Sequence, residues 1–129
     1  MNIFIIGNGA REHAFACAIA KSNHDVCIFT CNSNAGLSTI STNLTLDISD
    51  FNALKKIIIA KSIDMVLVGP EIPLIDGITD LILNDQSLNN VKVIGPTQKG
   101  AQLEGSKEFA KEFMNKYKIP TASYSSFDA

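Results

Sequence analysis

The sequence predicts an α/β domain built on a doubly wound, mostly parallel five-stranded sheet. Short runs of β-branched residues alternate along the chain with segments whose apolar residues recur at helical spacing. Helical crossovers are the usual connection between parallel strands, so this alternation favours a parallel sheet over a series of hairpins. Most glycines and prolines lie in turns that follow the predicted strands, which is where such sheets bind ligands.

The first half of the chain contains three predicted strands. Residues 3–6 (IFII) lack polar alternation, which is typical of a strand buried on both faces. Apolar residues at helical spacing predict a helix over about 11–21. A second strand is predicted over 26–29, and a short third strand over 43–46, with the turn-rich loop 30–38 between them.

The second half predicts two more strands. Residues 47–62 begin with Asp and Ser in capping positions and are predicted to form a helix. A strand over 65–68 follows, and Pro73 suits the first turn of a helix that runs to about Leu83. The fifth strand is predicted over 91–94.

The C-terminal part is predicted to be helical and then extended. Residues 105–118 have the pattern of an amphipathic helix, which should end before Ile119-Pro120 because a residue that precedes proline disfavours helical backbone. The tail over 121–129 is expected to begin a further strand.

Composition excludes several classes of protein. The 129 residues are 46% hydrophobic and 19% charged with a net charge of −2, which suits one domain without broad attraction to nucleic acid or anionic membranes. No apolar run approaches the roughly 20 residues of a membrane span, and the start does not resemble a signal peptide. The three cysteines indicate reduced thiols in a cytoplasmic protein, with Cys17 and Cys27 as small core residues.

The turn after the first strand has the chemistry of an anion site. Gly7, Asn8 and Gly9 permit a sharp turn with open N–H groups, and the following helix directs its positive end at the same place. Arg11 adds a charged fork suited to a phosphate. A dinucleotide, another phosphate or a plain strand-to-helix connection all remain possible for this turn.

The dinucleotide interpretation is the weakest of the three. The fingerprint of a dinucleotide turn requires a third glycine at position 12, where this chain has Glu12. It also requires an acidic residue near the end of the second strand, where residues 29–31 are Phe-Thr-Cys. A nicotinamide-dependent oxidoreductase is therefore disfavoured.

Two other charged residues follow predicted strands. Glu71, held between Pro70 and Pro73, could accept hydrogen bonds from sugar hydroxyls or an amine, or be a solvated loop glutamate or a helix cap. Lys107 could face a phosphate at the start of a helix, or be a surface charge. His13 lies one turn into a helix and is more typical of a surface or half-buried residue than of a catalyst.

These turns together resemble one family, the phosphoribosylamine–glycine ligases or glycinamide ribonucleotide synthetases. The matching segments, in family order, are "IGNGAREHA" (6–14), "NAG" (34–36), "VGPEIPLIDG" (68–77), "GPTQKGAQLEGSK" (95–107) and "KIPTASY" (118–124). The segments "VGPEIPL" and "AQLEGSK" in this order are far more specific than a glycine turn. The resemblance covers essentially the whole chain.

The chain departs from the family pattern at two places. The family usually has glycine where Ala10 stands, which is a small change. It usually has a Pro-Gly pair where Asn32 and Ser33 stand, which leaves the shape of the 30–36 loop open.

The resemblance implies a Rossmann-like domain that precedes an ATP-grasp fold. It divides the chain into a substrate-binding domain, 1–103, and a linking helix with the start of the ATP-grasp portion, 104–129. The implied enzyme joins glycine to 5-phosphoribosylamine in purine biosynthesis, with ATP and Mg²⁺ or Mn²⁺. This fragment alone is expected to be inactive, because most contacts to ATP, metal and glycine belong to the missing domains.

The resemblance also implies roles for individual residues. The phosphate of phosphoribosylamine is expected at the Gly7–Gly9 turn with Arg11, and the ribose hydroxyls near Glu71. The residues expected to bind or line the substrate are Gly7, Asn8, Gly9, Ala10, Arg11, Asn34, Ala35, Gly36, Pro70 and Glu71. Lys107 is expected to reach the phosphates of ATP, and no catalytic or metal-ligating residue is assigned. A non-catalytic binding module for a sugar phosphate or nucleotide remains the alternative.

Overall fold

The sheet has five strands in the order β3-β2-β1-β4-β5, and every neighbouring pair is parallel. The computed structural model describes residues 1–125 and 127. The strands are β1 (Asn2–Ile6), β2 (Cys27–Cys31), β3 (Thr42–Leu44), β4 (Met65–Val68) and β5 (Lys92–Ile94). The predicted α/β class and parallel five-stranded sheet are confirmed. Because β1 is central, the chain reverses its winding direction there, which is where doubly wound sheets form crevices.

Helices connect the strands on both faces of the sheet. They are α1 (Ala10–Ala20), α2 (Phe51–Ala60), α3 (Glu71–Ile75), α4 (Ile78–Asn84), α5 (Gln98–Gly105) and α6 (Lys107–Lys116). Short 3₁₀ turns occupy Leu37–Thr39 and Gln86–Leu88. Within the described residues, no helix is long and apolar enough to cross a membrane.

The core consists of two apolar layers, one on each face of the sheet. The alternation of β1 places Ile3 and Ile5 in one layer and Phe4 and Ile6 in the other. All four side chains are at most 3% exposed, so the predicted burial of this strand on both faces is confirmed. Burial on both faces holds the end of β1 rigidly beneath the turn that follows it.

The predicted helix over 73–83 was wrong in one respect, because the structure has two helices there. Gly77 adopts a left-handed φ of 90° between α3 and α4, which interrupts helical hydrogen bonding. The predicted helix over 105–118 is likewise shorter, since Ser106 is extended and caps α6 by accepting from the Phe109 N–H.

Two further expectations require correction. The turn expected after the fifth predicted strand instead contains α5, and the Thr97 side chain caps this helix by accepting from the Gly100 N–H. Cys27 was expected in the core but is exposed at the start of β2, whereas Cys31 at its end is buried. In the tail, residues 121–125 and 127 are not part of a strand, and residues 126, 128 and 129 lie outside the described residues.

Candidate functional site

The turn between β1 and α1 is built on a backbone that requires glycine. Gly7 has a φ of 114°, a conformation that a side chain would strain, and a Cβ there would lie 2.8 Å from Glu12 and Pro70 atoms. Gly9 is the N-cap of α1, and its N–H donates to Glu12 Oε2 at 2.6 Å. The turn therefore closes on the helix that follows it, and the amino end of α1 faces outward.

Glu12 is buried beneath this turn and is only 5% exposed. Its side chain fills the space where Cβ atoms of three glycines would stand, namely Gly7, Gly9 and Gly69. From the sequence Glu12 was notable only as the residue in place of a third glycine, and its packing beneath the turn was not predicted. A glutamate three residues after an N-cap glycine was the available signal, since such a residue commonly reaches back to the N-cap N–H.

Arg11 joins the first turn of α1 to the end of β4. Its Nη1 donates to the carbonyl oxygen of Gly69 at 2.7 Å, in a partly buried position. One hydrogen bond of this kind uses one of the five N–H donors of the guanidinium group. The bond anchors the guanidinium at the cleft, and its remaining donors can bind an anion.

The loop after β2 supports the glycine turn from the side. The Asn34 amide donates to the Asn8 carbonyl at 2.7 Å, and the Asn8 amide donates to the Asn32 carbonyl at 3.1 Å. Asn32 has a φ of 52°, a conformation that asparagine tolerates, and its amide donates to the Leu46 carbonyl. The loop shape that the family comparison left open is thus fixed by side-chain amides.

His13 packs against the same loop. A Cβ at Gly36 would lie 2.8 Å from the His13 ring, so the ring lies directly against the Gly36 backbone. Arg11, Glu12 and His13 therefore contact three structural features in turn: the end of β4, the glycine turn and the loop after β2. The first turn of α1 therefore contacts the segments that follow the three central strands, β2, β1 and β4.

These elements enclose an open cleft of about 380 Å³ at the carboxyl ends of β1 and β4. Its lining residues are Gly7, Asn8, Gly9, Ala10, Arg11, Glu12, Pro70 and Glu71. Of the predicted substrate residues, the structure brings together those from the glycine turn, Pro70 and Glu71. Asn34, Ala35 and Gly36 do not line the cleft, and Asn34 contacts it only through the glycine turn.

The cleft lining combines hydrogen-bond donors of the first turn of α1 with the exposed carboxylate of Glu71. The N–H groups of Ala10 and Arg11 lie in the first turn of α1, where they have no intrahelical acceptor. They form the positive end of the helix dipole. Glu71 is exposed at the first position of α3 and follows Pro70, which is its N-cap. This arrangement suits a ligand with an anionic group at one end and hydroxyl groups at the other.

Lys107 lies apart from the cleft lining. It is exposed at the first position of α6, next to the capping residue Ser106. Among residues 1–125 and 127, no group of three or more His, Cys, Asp or Glu side chains could hold a metal ion.

A glycine turn and a helix amino end on the central strand of a doubly wound parallel sheet define a class of α/β domains that bind nucleotides or sugar phosphates. The model of one family of this class, described as "Phosphoribosylglycinamide synthetase, N domain", matches residues 1–104. The chain belongs to this family, and the resemblance seen in the motifs is confirmed.

Named relatives agree with this assignment. The chain is 43% identical to phosphoribosylamine–glycine ligase of Chlorobaculum tepidum, over 98% of this chain and 30% of that protein. It is 40% identical to the Escherichia coli K12 protein of the same name, over 98% of this chain and 29% of that protein. The crystal structure of the Thermotoga maritima ligase matches with a TM-score of 0.65 and 32% identity, over 95% of this chain and 26% of that one. The chain thus spans about 30% of the length of the curated relatives it matches.

Proposed function

We propose that this chain is the N-terminal, substrate-binding part of an ATP-dependent ligase that joins glycine to 5-phosphoribosylamine in purine (IMP) biosynthesis. The products are glycinamide ribonucleotide, ADP and phosphate. The names of the relatives support the reaction. The observation that carries the role of this chain is the cleft, where a glycine turn, a helix amino end, Arg11 and Glu71 meet.

The phosphate of phosphoribosylamine binds at the Gly7–Gly9 turn in this proposal. The Ala10 and Arg11 N–H groups and the free donors of the Arg11 guanidinium provide charge-assisted hydrogen bonds. Glu71, which also lines the cleft, accepts hydrogen bonds from the ribose hydroxyls. Pro70 lines the cleft between them, and Asn34–Gly36 act indirectly by holding Asn8 and packing on His13.

The chemistry needs an oriented amine rather than a base in this cleft. Transfer of the γ-phosphoryl group of ATP to the glycine carboxylate gives an acyl phosphate and ADP. The neutral amine of phosphoribosylamine attacks the acyl carbon, the carbon–nitrogen bond forms, the bond to the phosphate oxygen breaks, and the nitrogen releases a proton. The residues of this chain hold the sugar phosphate so that its amine is directed at the acyl phosphate.

The remaining ligands belong to the rest of the ligase in this proposal. ATP, glycine and Mg²⁺ or Mn²⁺ bind mainly to an ATP-grasp portion that follows residues 1–103, with residues 104–129 as its linking helix and beginning. Lys107, exposed at the start of α6, contacts the phosphates of ATP from the domain edge. We place the enzyme in the cytoplasm, without a nucleic acid or membrane partner.

Titration of the chain with ribose 5-phosphate, followed by amide signals in NMR spectra, tests the binding site. The signals of residues 7–11 should shift with ribose 5-phosphate and stay in place with ribose, which lacks the phosphate. A response to NADH without a response to ribose 5-phosphate would favour an oxidoreductase. No response to either ligand would overturn the proposed site.

A chimera tests the ligase role. The chain replaces the matching N-terminal 29% of the Escherichia coli ligase. We expect ADP formation that requires both glycine and phosphoribosylamine. A folded chimera that binds ribose 5-phosphate without such turnover would favour the non-catalytic module.

A further inference from the structure

An apolar groove of about 430 Å³ lies beside the candidate cleft. Its apolar lining comes from Ile48, Phe51, Pro70, Ile72 and Pro73. The first two residues lie where the chain enters α2, and the other three lie where it enters α3. These helices follow β3 and β4, so the groove opens at the carboxyl edge of the sheet, as the cleft does.

The groove and the cleft share one residue, Pro70. The two residues after it divide between the two sites, because Glu71 lines the cleft whereas Ile72 lines the groove. Consecutive Cα atoms are about 3.8 Å apart, so the two sites adjoin. A ligand whose ribose reaches Glu71 can therefore place a substituent of the sugar ring in the groove.

The groove offers a flat ring an apolar surface that is otherwise in contact with water. The Ile72 side chain is 67% exposed. A ring that covers it removes apolar surface from water, which is favourable. Phe51 adds an aromatic ring that can pack against another aromatic ring. The volume of the groove also lies within the range of small-molecule sites, roughly 300–1,000 Å³.

The two polar residues of the groove, Ser49 and Asp76, narrow the choice of ring. The Ser49 hydroxyl donates to Asp47 Oδ1 at 2.7 Å, so its proton is already used. Asp76 is exposed, and an ionised carboxylate accepts hydrogen bonds but donates none. A ring with an amino group therefore suits this groove better than a ring with a carbonyl oxygen. Adenine has such an amino group and no carbonyl.

We propose that the groove is a nucleobase subsite, and that the cleft and the groove together bind adenosine 5′-monophosphate (AMP). The phosphate lies at the Gly7–Gly9 turn, the ribose hydroxyls lie at Glu71, and the adenine lies against Ile72. This inference rests on the proposed binding of a sugar phosphate in the cleft. Adenine stands on the ribose carbon that carries the amine of phosphoribosylamine, so AMP excludes phosphoribosylamine and inhibits the ligase competitively.

Calorimetric titration with AMP and with ribose 5-phosphate tests the inference, because the two ligands carry the same phosphate monoester and differ by the adenine. The native chain should bind AMP more tightly by about tenfold, or ~1.4 kcal/mol. Burial of about 60 Å² of apolar surface is sufficient for this difference. In NMR spectra, AMP should shift the amide signals of residues 48, 51 and 72 as well as those of 7–11. Ribose 5-phosphate should shift only those of 7–11.

Two serine variants locate the adenine. Ile72→Ser should lower the affinity for AMP to within about threefold of that for ribose 5-phosphate, because it removes the exposed apolar side chain of the groove. Its affinity for ribose 5-phosphate should not change. Ile59→Ser is the matched control, since Ile59 is 53% exposed near the end of α2 that leads to the start of β4. The control should keep the tenfold preference for AMP.

The possible failures are distinguishable. Equal affinities of the native chain for the two ligands would overturn the inference and would favour a protein segment as the occupant of the groove. A preference for AMP that is unchanged in a folded Ile72→Ser chain would also overturn it. If that variant does not fold, the native chain still decides, because bound AMP that leaves the signals of residues 48, 51 and 72 in place would have the same meaning. A native chain that does not bind ribose 5-phosphate would instead overturn the proposed function.

Discussion

The hydrogen bond of 2.7 Å from Arg11 Nη1 to the Gly69 carbonyl joins the glycine turn after β1 to the turn after β4. Both turns contribute residues to the cleft lining, which includes Arg11 itself and Pro70, the residue after Gly69. Arg11 therefore holds the two turns together and also places a positive charge in the cleft.

Arg11→Ala should weaken ribose 5-phosphate binding by about 1–3 kcal/mol, the range for losing hydrogen bonds to a charged group. Calorimetric titration of the two chains provides the measurement. Lys56→Ala is the matched control, because it removes an exposed positive charge from α2 and should leave the affinity unchanged. Equal affinities for the native and Arg11→Ala chains would remove Arg11 from the site.

Gly69→Ala should destabilise the chain by about 1–3 kcal/mol, because its Cβ would overlap the Glu12 carboxylate in a packed interior. Urea unfolding measures the change. The control is Gly100→Ala in α5, where a Cβ would meet Pro96 at 3.3 Å and alanine favours the helix. That substitution should change stability by less than about 0.5 kcal/mol. Similar effects at the two glycines would contradict the packing of Glu12 described above.

Gly36→Ala should be destabilising because of the His13 ring, and His13→Ala should relieve the overlap. A double-mutant cycle should therefore show a coupling energy of about 0.5–3 kcal/mol between these residues. The free energies of unfolding of the four chains provide the measurement. Additive effects would show that His13 does not hold the loop after β2.

The pair Lys55–Asp85 should make stability depend on pH in the acid range. Lys55 Nζ lies 2.6 Å from Asp85 Oδ2, and hydrogen bonds from Lys55 and then Ser87 lower the pKa of Asp85 to about 2. Because the pKa of Asp85 is lower in the folded state than in the unfolded state, its ionised carboxylate stabilises the fold above about pH 4. This stabilisation is lost as the pH falls towards 2.

Urea unfolding of the native and Asp85→Asn chains between pH 7 and pH 2 measures this dependence. The difference in stability between them should shrink as the pH falls from about 4 to 2. Asp25→Asn, which removes a carboxylate outside this ion pair, is the control. If the difference in stability between the native and Asp85→Asn chains stays constant through this range, the prediction is wrong.

Thr79→Val should stabilise the chain by about 1 kcal/mol, because the buried Thr79 hydroxyl has no hydrogen-bond partner within the described residues. Thr30→Val should do the opposite, since the buried Thr30 hydroxyl is bonded to Ser33 and Ser41. Thermal unfolding of both variants tests the contrast. Destabilisation by both substitutions would indicate that Thr79 is hydrogen-bonded in solution.

Much of the fold was predictable because its signals are local. The IFII run is apolar at every position, and β1 is correspondingly buried on both faces. The break between α3 and α4 was missed because a glycine within a helical pattern does not reveal its φ, and Gly77 is left-handed only in its packed context. The capping of α5 by Thr97 was a local signal that the glycine-rich composition of the segment obscured.

The cleft was predictable in composition but not in its internal contacts. Glycine, arginine and glutamate residues at strand ends indicated an anion site, and the structure brings the glycine turn, Arg11 and Glu71 to one cleft. The packing of Glu12 beneath Gly69, and of His13 on Gly36, joins residues far apart in the sequence. Such contacts depend on the strand order, which periodicity alone does not determine.

The central position of β1 also has a consequence for synthesis on the ribosome. Arg11 and Gly69 are 58 positions apart, and β4 lies between them in the chain just before Gly69. At a translation rate of about 5–20 residues per second, roughly 3–12 seconds pass between the synthesis of β1 and the synthesis of β4. During that interval one edge of β1, whose residues 3–6 are all apolar, has no native partner. The nascent chain is then most exposed to aggregation, and slower translation of residues 32–64 would lengthen that exposure.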